Sequence, residues 1–101
     1  MKYALHFMPK ALNDLAEIRA YIAADNPSRA DIFAQKLWDE IQSLKEMPNR
    51  CSLAPEASRT GRELRHFLFG DYRILFVVKG GAVKVLRIIH GARAHFDMGH
   101  A

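Results

Sequence analysis

The residues most suited to chemistry lie in the last forty positions of the chain, within three β-rich runs joined by two glycine-containing turns. Arginine and lysine hold anionic groups, and histidine can take up or release a proton near neutral pH. These runs place four such residues where they could share one face of a sheet. The four candidates are Arg73, Lys84, His66 and His90. That face is the predicted functional site.

The charge of the chain is concentrated in the same half. The net charge is +4, yet residues 1–50 balance seven lysines and arginines against seven acids, whereas residues 51–101 carry eight against four. A cationic surface there favours a polyanionic partner, either nucleic acid or an acidic protein. The alternative is a solvated sheet edge made basic to prevent aggregation.

Length and composition narrow the class of protein. A chain of 101 residues suits a single domain, 1–101, with one core. No run approaches the roughly 18 apolar residues needed to span a bilayer, so we expect no membrane contact. Cys51 is the only cysteine, which excludes an intramolecular disulfide and fits a reducing cytoplasm.

Hydrophobic periodicity predicts a strand, a helical hairpin and a three-stranded meander. Residues from Tyr3 to Phe7 alternate as in a short first strand. From Pro9 the apolar residues recur at helical spacing, and Asn26-Pro27 separates this helix from a second one that runs to about Met47. Residues 48–61 lack periodicity and are predicted to form the loop between helix and sheet.

Two-residue turns at Gly70-Asp71 and Gly80-Gly81 fix a predicted register, in which Tyr72 lies opposite Ile89 and Arg73 opposite Ile88. The face expected under the helices collects Phe67, Phe69, Tyr72, Ile74, Phe76, Val78, Val83, Val85 and Ile89, with Arg65 and Arg87. The other face collects Leu64, Leu68, Leu75, Val77, Leu86 and Ile88, with His66, Arg73, Lys84 and His90. Such an apolar and basic face is typical of one that a partner covers part of the time.

A series of short motifs runs along nearly the whole chain. They are the opening strand, Ala11-Leu12-Asn13-Asp14-Leu15 with Ile18 and Tyr21-Ile22, Asn26-Pro27, Leu44 with Pro48, Leu64-Arg65, Gly70-Asp71-Tyr72-Arg73-Ile74-Leu75-Phe76, and His90-Gly91-Ala92-Arg93. Their order and spacing resemble the RelE/ParE superfamily, toxins of bacterial type II toxin–antitoxin modules that include plasmid stabilisation proteins. The resemblance implies an α+β fold, with a helical hairpin on one side of an antiparallel sheet. It also implies a cognate antitoxin and a higher-order toxin–antitoxin complex. We expect no cofactor.

The RelE-like branch of this superfamily implies an enzyme. Its members act in the ribosomal A site as mRNA interferases, cleaving mRNA through attack of a ribose 2′-hydroxyl on its own phosphate, which needs a base, an acid and cations. By resemblance, Arg73 is the phosphate-binding arginine and Arg93 a second one. His90, His95 or Glu63 are the acid–base candidates, so the predicted catalytic set is Arg73, Arg93 and His90.

The ParE-like branch implies growth inhibition through DNA gyrase, by binding and without a full acid–base set. Two departures favour it, since Arg62 and Glu63 replace lysines before Leu64-Arg65 and no tyrosine follows Arg93. The sequence leaves open whether the chain is an enzyme. Under either mechanism the predicted binding surface is Arg65, Arg73, Lys84, Arg87, Arg93 and His66. Arg73→Ala is expected to abolish toxicity and to spare the fold. The alternative for Arg73 is a salt bridge to Asp71 or to a carboxylate on a neighbouring strand.

Two other functions compete with a toxin. The C-terminal residues His90, His95, Asp97 and His100 have the composition of metal ligands, but histidines five residues apart do not share a helix face, so we expect no metal site. A non-toxic nucleic-acid-binding module would also use the basic half of the chain. Against it, the sequence lacks a helix-turn-helix, an RNP-type aromatic pair and a Gly-x-x-Gly clamp.

Overall fold

The computed structural model describes residues 2–91, which form a four-stranded sheet with a helical hairpin on one face. The strands are β1 (Ala4–Phe7), β2 (Arg65–Phe69), β3 (Tyr72–Lys79) and β4 (Ala82–His90), in the spatial order β1-β4-β3-β2. The helices are α1 (Pro9–Ala23), α2 (Pro27–Gln42) and the short α3 (Ala57–Thr60), with 3-10 turns at Ser43–Lys45 and Pro48–Arg50. The predicted α+β architecture is confirmed. In this part of the chain, no helix has the length and apolar character to cross a membrane.

The sheet is mixed rather than wholly antiparallel. Strands β2, β3 and β4 form the predicted antiparallel meander, while β1 pairs with β4 in parallel, with Leu5 opposite Val83. Parallel neighbours need a long connection between them, and here nearly the whole chain supplies it. The antiparallel arrangement that the resemblance implied is confirmed for β2, β3 and β4, and β1 is added in parallel.

A β-bulge in β4 changes the predicted register. The prediction holds from the Gly80-Gly81 turn as far as the pair Phe76–Val85, and then Leu75 lies opposite Arg87. One extra residue on β4 moves the following side chains to the other face. As a result Ile88 joins the core under the helices and Ile89 packs on the opposite side, the reverse of the prediction.

The bulge also relocates His90, which was predicted to share a face with Arg73. His90 pairs with Tyr72, a residue of the helix-side face, and its ring meets the Tyr72 ring edge-on at 5.3 Å between centroids. Arg73 lies opposite Ile89 and faces the other way. The two residues are therefore separated by the sheet.

The core under the hairpin follows the predicted periodicity. Its buried members are Ala11, Leu37, Ile41, Leu44, Ile74, Phe76, Val83, Val85 and Ile88. The Asn26 side chain caps α2 by accepting a hydrogen bond from the Arg29 amide at 3.1 Å, as the sequence predicts.

The second helix ends earlier than predicted, at Gln42 rather than near Met47. A 3-10 turn follows, and its Lys45 carbonyl accepts a hydrogen bond from the Tyr3 amide at 2.8 Å. Met47 then adopts a left-handed conformation, with φ of 49°. Glu46 pairs with Lys2, just before β1, and Met47 precedes a proline, a position at which helical backbone is disfavoured, so helical structure does not continue to Met47.

Candidate functional site

The sheet face away from the helices is covered in part by the chain itself. Residues 52–64, here called the cover segment, cross this face and bury Ala54 and Leu64 against Leu75, Val77 and Ile89. Backbone hydrogen bonds fix both ends of the segment, from the His66 amide to the Ser52 carbonyl at 3.1 Å and from the Ala54 amide to the Leu64 carbonyl at 2.8 Å. Part of the predicted apolar and basic face is therefore buried by the same chain.

Arg73 is held under the cover segment by a carboxylate. Its Nη1 and Nη2 atoms donate to the two oxygens of Glu56 at 2.9 and 2.7 Å, which is a bidentate ion pair. Arg73 is 8% exposed and Glu56 1%. The alternative interpretation of Arg73 as a salt-bridge residue is therefore correct, although its partner is neither Asp71 nor a residue on a neighbouring strand.

His66 completes this buried cluster. Its Nδ1 atom accepts a hydrogen bond from Arg73 Nε at 3.3 Å. Burial lowers the pKa of His66, and the positive charge of Arg73 lowers it further. The hydrogen bond from Arg73 holds the pKa of Glu56 below its ordinary value, against the opposing effect of burial. At neutral pH the cluster is an ionised carboxylate, a guanidinium and a neutral imidazole.

Arg87 is also paired inside the protein, at the bulge. Its Nε and Nη2 donate to the two oxygens of Asp14 on α1 at 2.7 and 3.0 Å, and the Ile88 amide donates to the same carboxylate at 2.8 Å. Strand β1 pairs with β4 only as far as Val85, so Asp14 supplies an acceptor beyond the end of that pairing. The pair fastens α1 to β4.

The remaining predicted binding residues are spread over the sheet. Arg65 donates from Nη1 to the Cys51 carbonyl at 2.5 Å. Lys84 lies opposite Val77, four residues along β3 from Arg73, which is about 13 Å at the usual rise of a strand. Arg93 lies outside the described residues, as do His95, Asp97 and His100. The structure thus joins His66 to Arg73 and separates both from Lys84 and His90.

Sequence reasoning did not identify Glu56 and Asp14, the two carboxylates that organise these arginines. Glu56 is the one acid between Arg50 and Arg62, and Asp14 occupies the buried side of an amphipathic helix. A charged residue at an apolar helix position is the available signal for Asp14, because such residues are almost never buried unless paired. The loop around Glu56 offers no comparable periodicity.

These elements define a class of small α+β protein, with a helical hairpin over one face of its sheet and a self-covered basic face on the other. Comparison with known proteins agrees with this class. A family model described as "ParE toxin of type II toxin-antitoxin system, parDE" matches residues 5–95. The chain belongs to this family, within the RelE/ParE superfamily, and is a toxin of a type II toxin–antitoxin system.

Individual relatives carry both branch names. Toxin RelE2 of Caulobacter vibrioides is 39% identical over 84 residues, covering 83% of this chain and 90% of that protein. The chromosomal ParDE TA system from P. aeruginosa has a chain with a TM-score of 0.71 and 22% identity, covering 88% of this chain and 96% of that one. The RelBE2 toxin–antitoxin complex of Mycobacterium tuberculosis has a chain with a TM-score of 0.62 and 23% identity, covering 89% of this chain and 92% of that one. The two structures share the fold.

Proposed function

We propose that this toxin inhibits DNA gyrase by binding, as the ParE-like branch does, rather than cleaving mRNA. The observation that carries the proposal is the closed ion pair between Glu56 and Arg73. Binding to a protein target needs a surface of fixed shape and charge, whereas cleavage needs reactive groups that reach the phosphate. Family membership supports the same choice.

The groups that mRNA cleavage requires are not assembled in residues 2–91. Each Nη atom of Arg73 donates one hydrogen bond to Glu56, and Nε donates to His66. His90 lies on the other face. Arg73 is 8% exposed, so a phosphate would reach its guanidinium only after the pair with Glu56 had opened. Gyrase inhibition makes no such demand.

A cognate antitoxin is the second partner that we propose. Two solved structures with this fold are a ParDE system and a RelBE2 toxin–antitoxin complex. By analogy, this toxin is neutralised by an antitoxin in a higher-order complex, and both proteins act in the cytoplasm, where gyrase and ribosomes are found.

The name of the RelE2 relative makes a ribosome-dependent endoribonuclease the second candidate. Two assays on the same antitoxin-free preparation separate the candidates. One measures supercoiling of relaxed plasmid by purified gyrase, and the other measures mRNA cleavage on programmed ribosomes. The antitoxin-bound protein is the control in both.

We expect loss of supercoiling with accumulation of cleaved plasmid, and intact mRNA. Cleavage at the A-site codon, with gyrase unaffected, would overturn the proposal. Activity in neither assay, from protein that still arrests growth, would overturn it in favour of a third target. Arg73→Ala is a poor probe for either assay, because it leaves Glu56 buried without its partner. On this structure we expect the substitution to destabilise the fold rather than to spare it.

A further inference from the structure

The cover segment presents a second set of cations that sequence analysis did not place in the binding surface. Arg59 lies on α3 and Arg62 just beyond it, and both are exposed. Leu53 is 51% exposed on the same segment, and Leu68 is 62% exposed on β2, opposite Arg73. The cover segment thus exposes both arginines and a leucine, and the strand beside it exposes a second leucine.

The region around the cover segment carries a net positive charge. Residues 50–65 contain four arginines and two glutamates. One of these acids, Glu56, is buried on Arg73, and the other, Glu63, is 3.9 Å from Arg65. Arg50, Arg59 and Arg62 are all exposed.

The segment is held in one place although it contains little regular structure. Its single helix has four residues, yet Ala54, Glu56 and Leu64 are all buried against the sheet. A loop fixed on a rigid scaffold is a common carrier of binding residues. Fixing it before binding also reduces the entropy lost on association.

We propose that the exposed side of the cover segment, with Arg59, Arg62 and Leu53, together with Leu68 of β2, is the surface by which this toxin binds an acidic patch of its protein target. The inference rests on the proposed function, in which the target is a protein. Arginine is over-represented at protein interfaces and in their energetic hot spots. The exposed leucines favour a protein over nucleic acid, since a phosphate backbone offers no apolar partner to them.

The test compares two double charge reversals with the same change in net charge. Arg59→Glu/Arg62→Glu alters the proposed surface, and Lys10→Glu/Lys36→Glu alters exposed cations on the helical hairpin. Each variant is first checked for a wild-type circular dichroism spectrum and melting temperature. The measured quantity is the toxin concentration that halves gyrase supercoiling.

We expect the first variant to raise this concentration about tenfold or more, and the second to change it less than about twofold. Leu68→Ser, a neutral change at the same surface, is expected to weaken inhibition as well, and it keeps the test independent of net charge. Equal effects of the two reversals, with wild-type gyrase inhibition intact, would overturn this inference alone. A wild-type protein that fails to inhibit gyrase would instead overturn the proposed function, and this inference with it.

Two further measurements identify the partner of this surface if that partner is not gyrase. A loss of antitoxin affinity in Arg59→Glu/Arg62→Glu, without a loss of gyrase inhibition, would assign the surface to the antitoxin and refute the inference. The surface would be assigned to nucleic acid if the loss of gyrase inhibition were accompanied by a matching loss of affinity for a short DNA duplex, and if Leu68→Ser left inhibition unchanged. That result would also refute the inference.

Discussion

Glu56→Ala should be among the most destabilising single substitutions outside the apolar core. It removes both acceptors from the Arg73 guanidinium, at 2.9 and 2.7 Å, and leaves that cation buried under the cover segment. Removing one partner of a buried ion pair costs about 3–5 kcal/mol. That is a large part of the total stability of a small domain, about 5–15 kcal/mol. At about 4–8 °C per kcal/mol, the melting temperature should fall by at least about 12 °C.

Urea unfolding at pH 7 measures this loss directly. Trp38 is the only tryptophan, and it lies in α2 with its ring stacked on Phe7 at 5.0 Å, so its fluorescence reports global unfolding away from the substituted site. Glu63→Ala is the matched control, because Glu63 also lies near an arginine but its side chain is 84% exposed. Exposed pairs of this kind contribute less than about 1 kcal/mol.

A double substitution separates the cost of an unpaired charge from the net contribution of the pair. Glu56→Leu/Arg73→Met replaces both charges with apolar side chains, and it should recover most of the stability that Glu56→Ala loses. If Glu56→Ala costs no more than Glu63→Ala, the pair does not hold the cover segment and the reasoning is refuted. If the double variant is no more stable than Glu56→Ala, the loss arises from packing instead.

Three further predictions concern stability. The pKa values of His66 and Glu56 are both lowered in the folded protein, so the unfolded chain binds protons more readily and stability should fall on acidification. The decrease should begin below pH 6.5 through His66 and continue below about pH 4.5 through Glu56. Urea unfolding midpoints measured from pH 7.5 to 4 test this, and His66→Gln should remove the first decrease alone. Asp14→Asn should cost about 2 kcal/mol, because it removes the charge on which Arg87 is paired at the bulge; a cost no greater than that of Asn13→Ala, on the exposed side of α1, would contradict it. Met47→Gly should stabilise the protein by up to about 1 kcal/mol. Met47 has a φ of 49° and an exposed side chain, and left-handed backbone is costly for residues other than glycine. A lower urea midpoint for the variant would show that the Met47 side chain stabilises the fold more than the backbone strain costs.

The elements of the fold were predictable because each has a local signal. Alternation marks the strand from Tyr3 to Phe7, helical spacing marks both helices, and glycines at positive φ mark the two turns. The bulge lacked such a signal, since Leu86-Arg87-Ile88-Ile89 contains no alternation that distinguishes one register from the next. What stabilises the shifted register is Asp14, which is distant in sequence.

The sequence predicted which sheet face holds the candidate site, but it did not predict which side chains contact one another there. Arg73 and His66 lie together on the non-helical face as expected. Their engagement by Glu56 depends on the path of an aperiodic loop, and no pattern in residues 48–61 specifies that path. Long-range pairs of this kind are set by tertiary packing, which local periodicity does not encode.

The pairing of β1 with β4 has a consequence for folding of the toxin during its synthesis on the ribosome. Leu5 and Val83 are neighbours in the sheet, so β1 has no partner strand until β4 has been synthesised. The hairpin can form earlier, but its apolar side packs on β3 and β4, which are made after it. Such non-local topology also slows folding. The nascent chain therefore reaches its folded form only after β4 has been made. A polypeptide interrupted before β4 lacks both the partner strand of β1 and part of the sheet on which the helices pack.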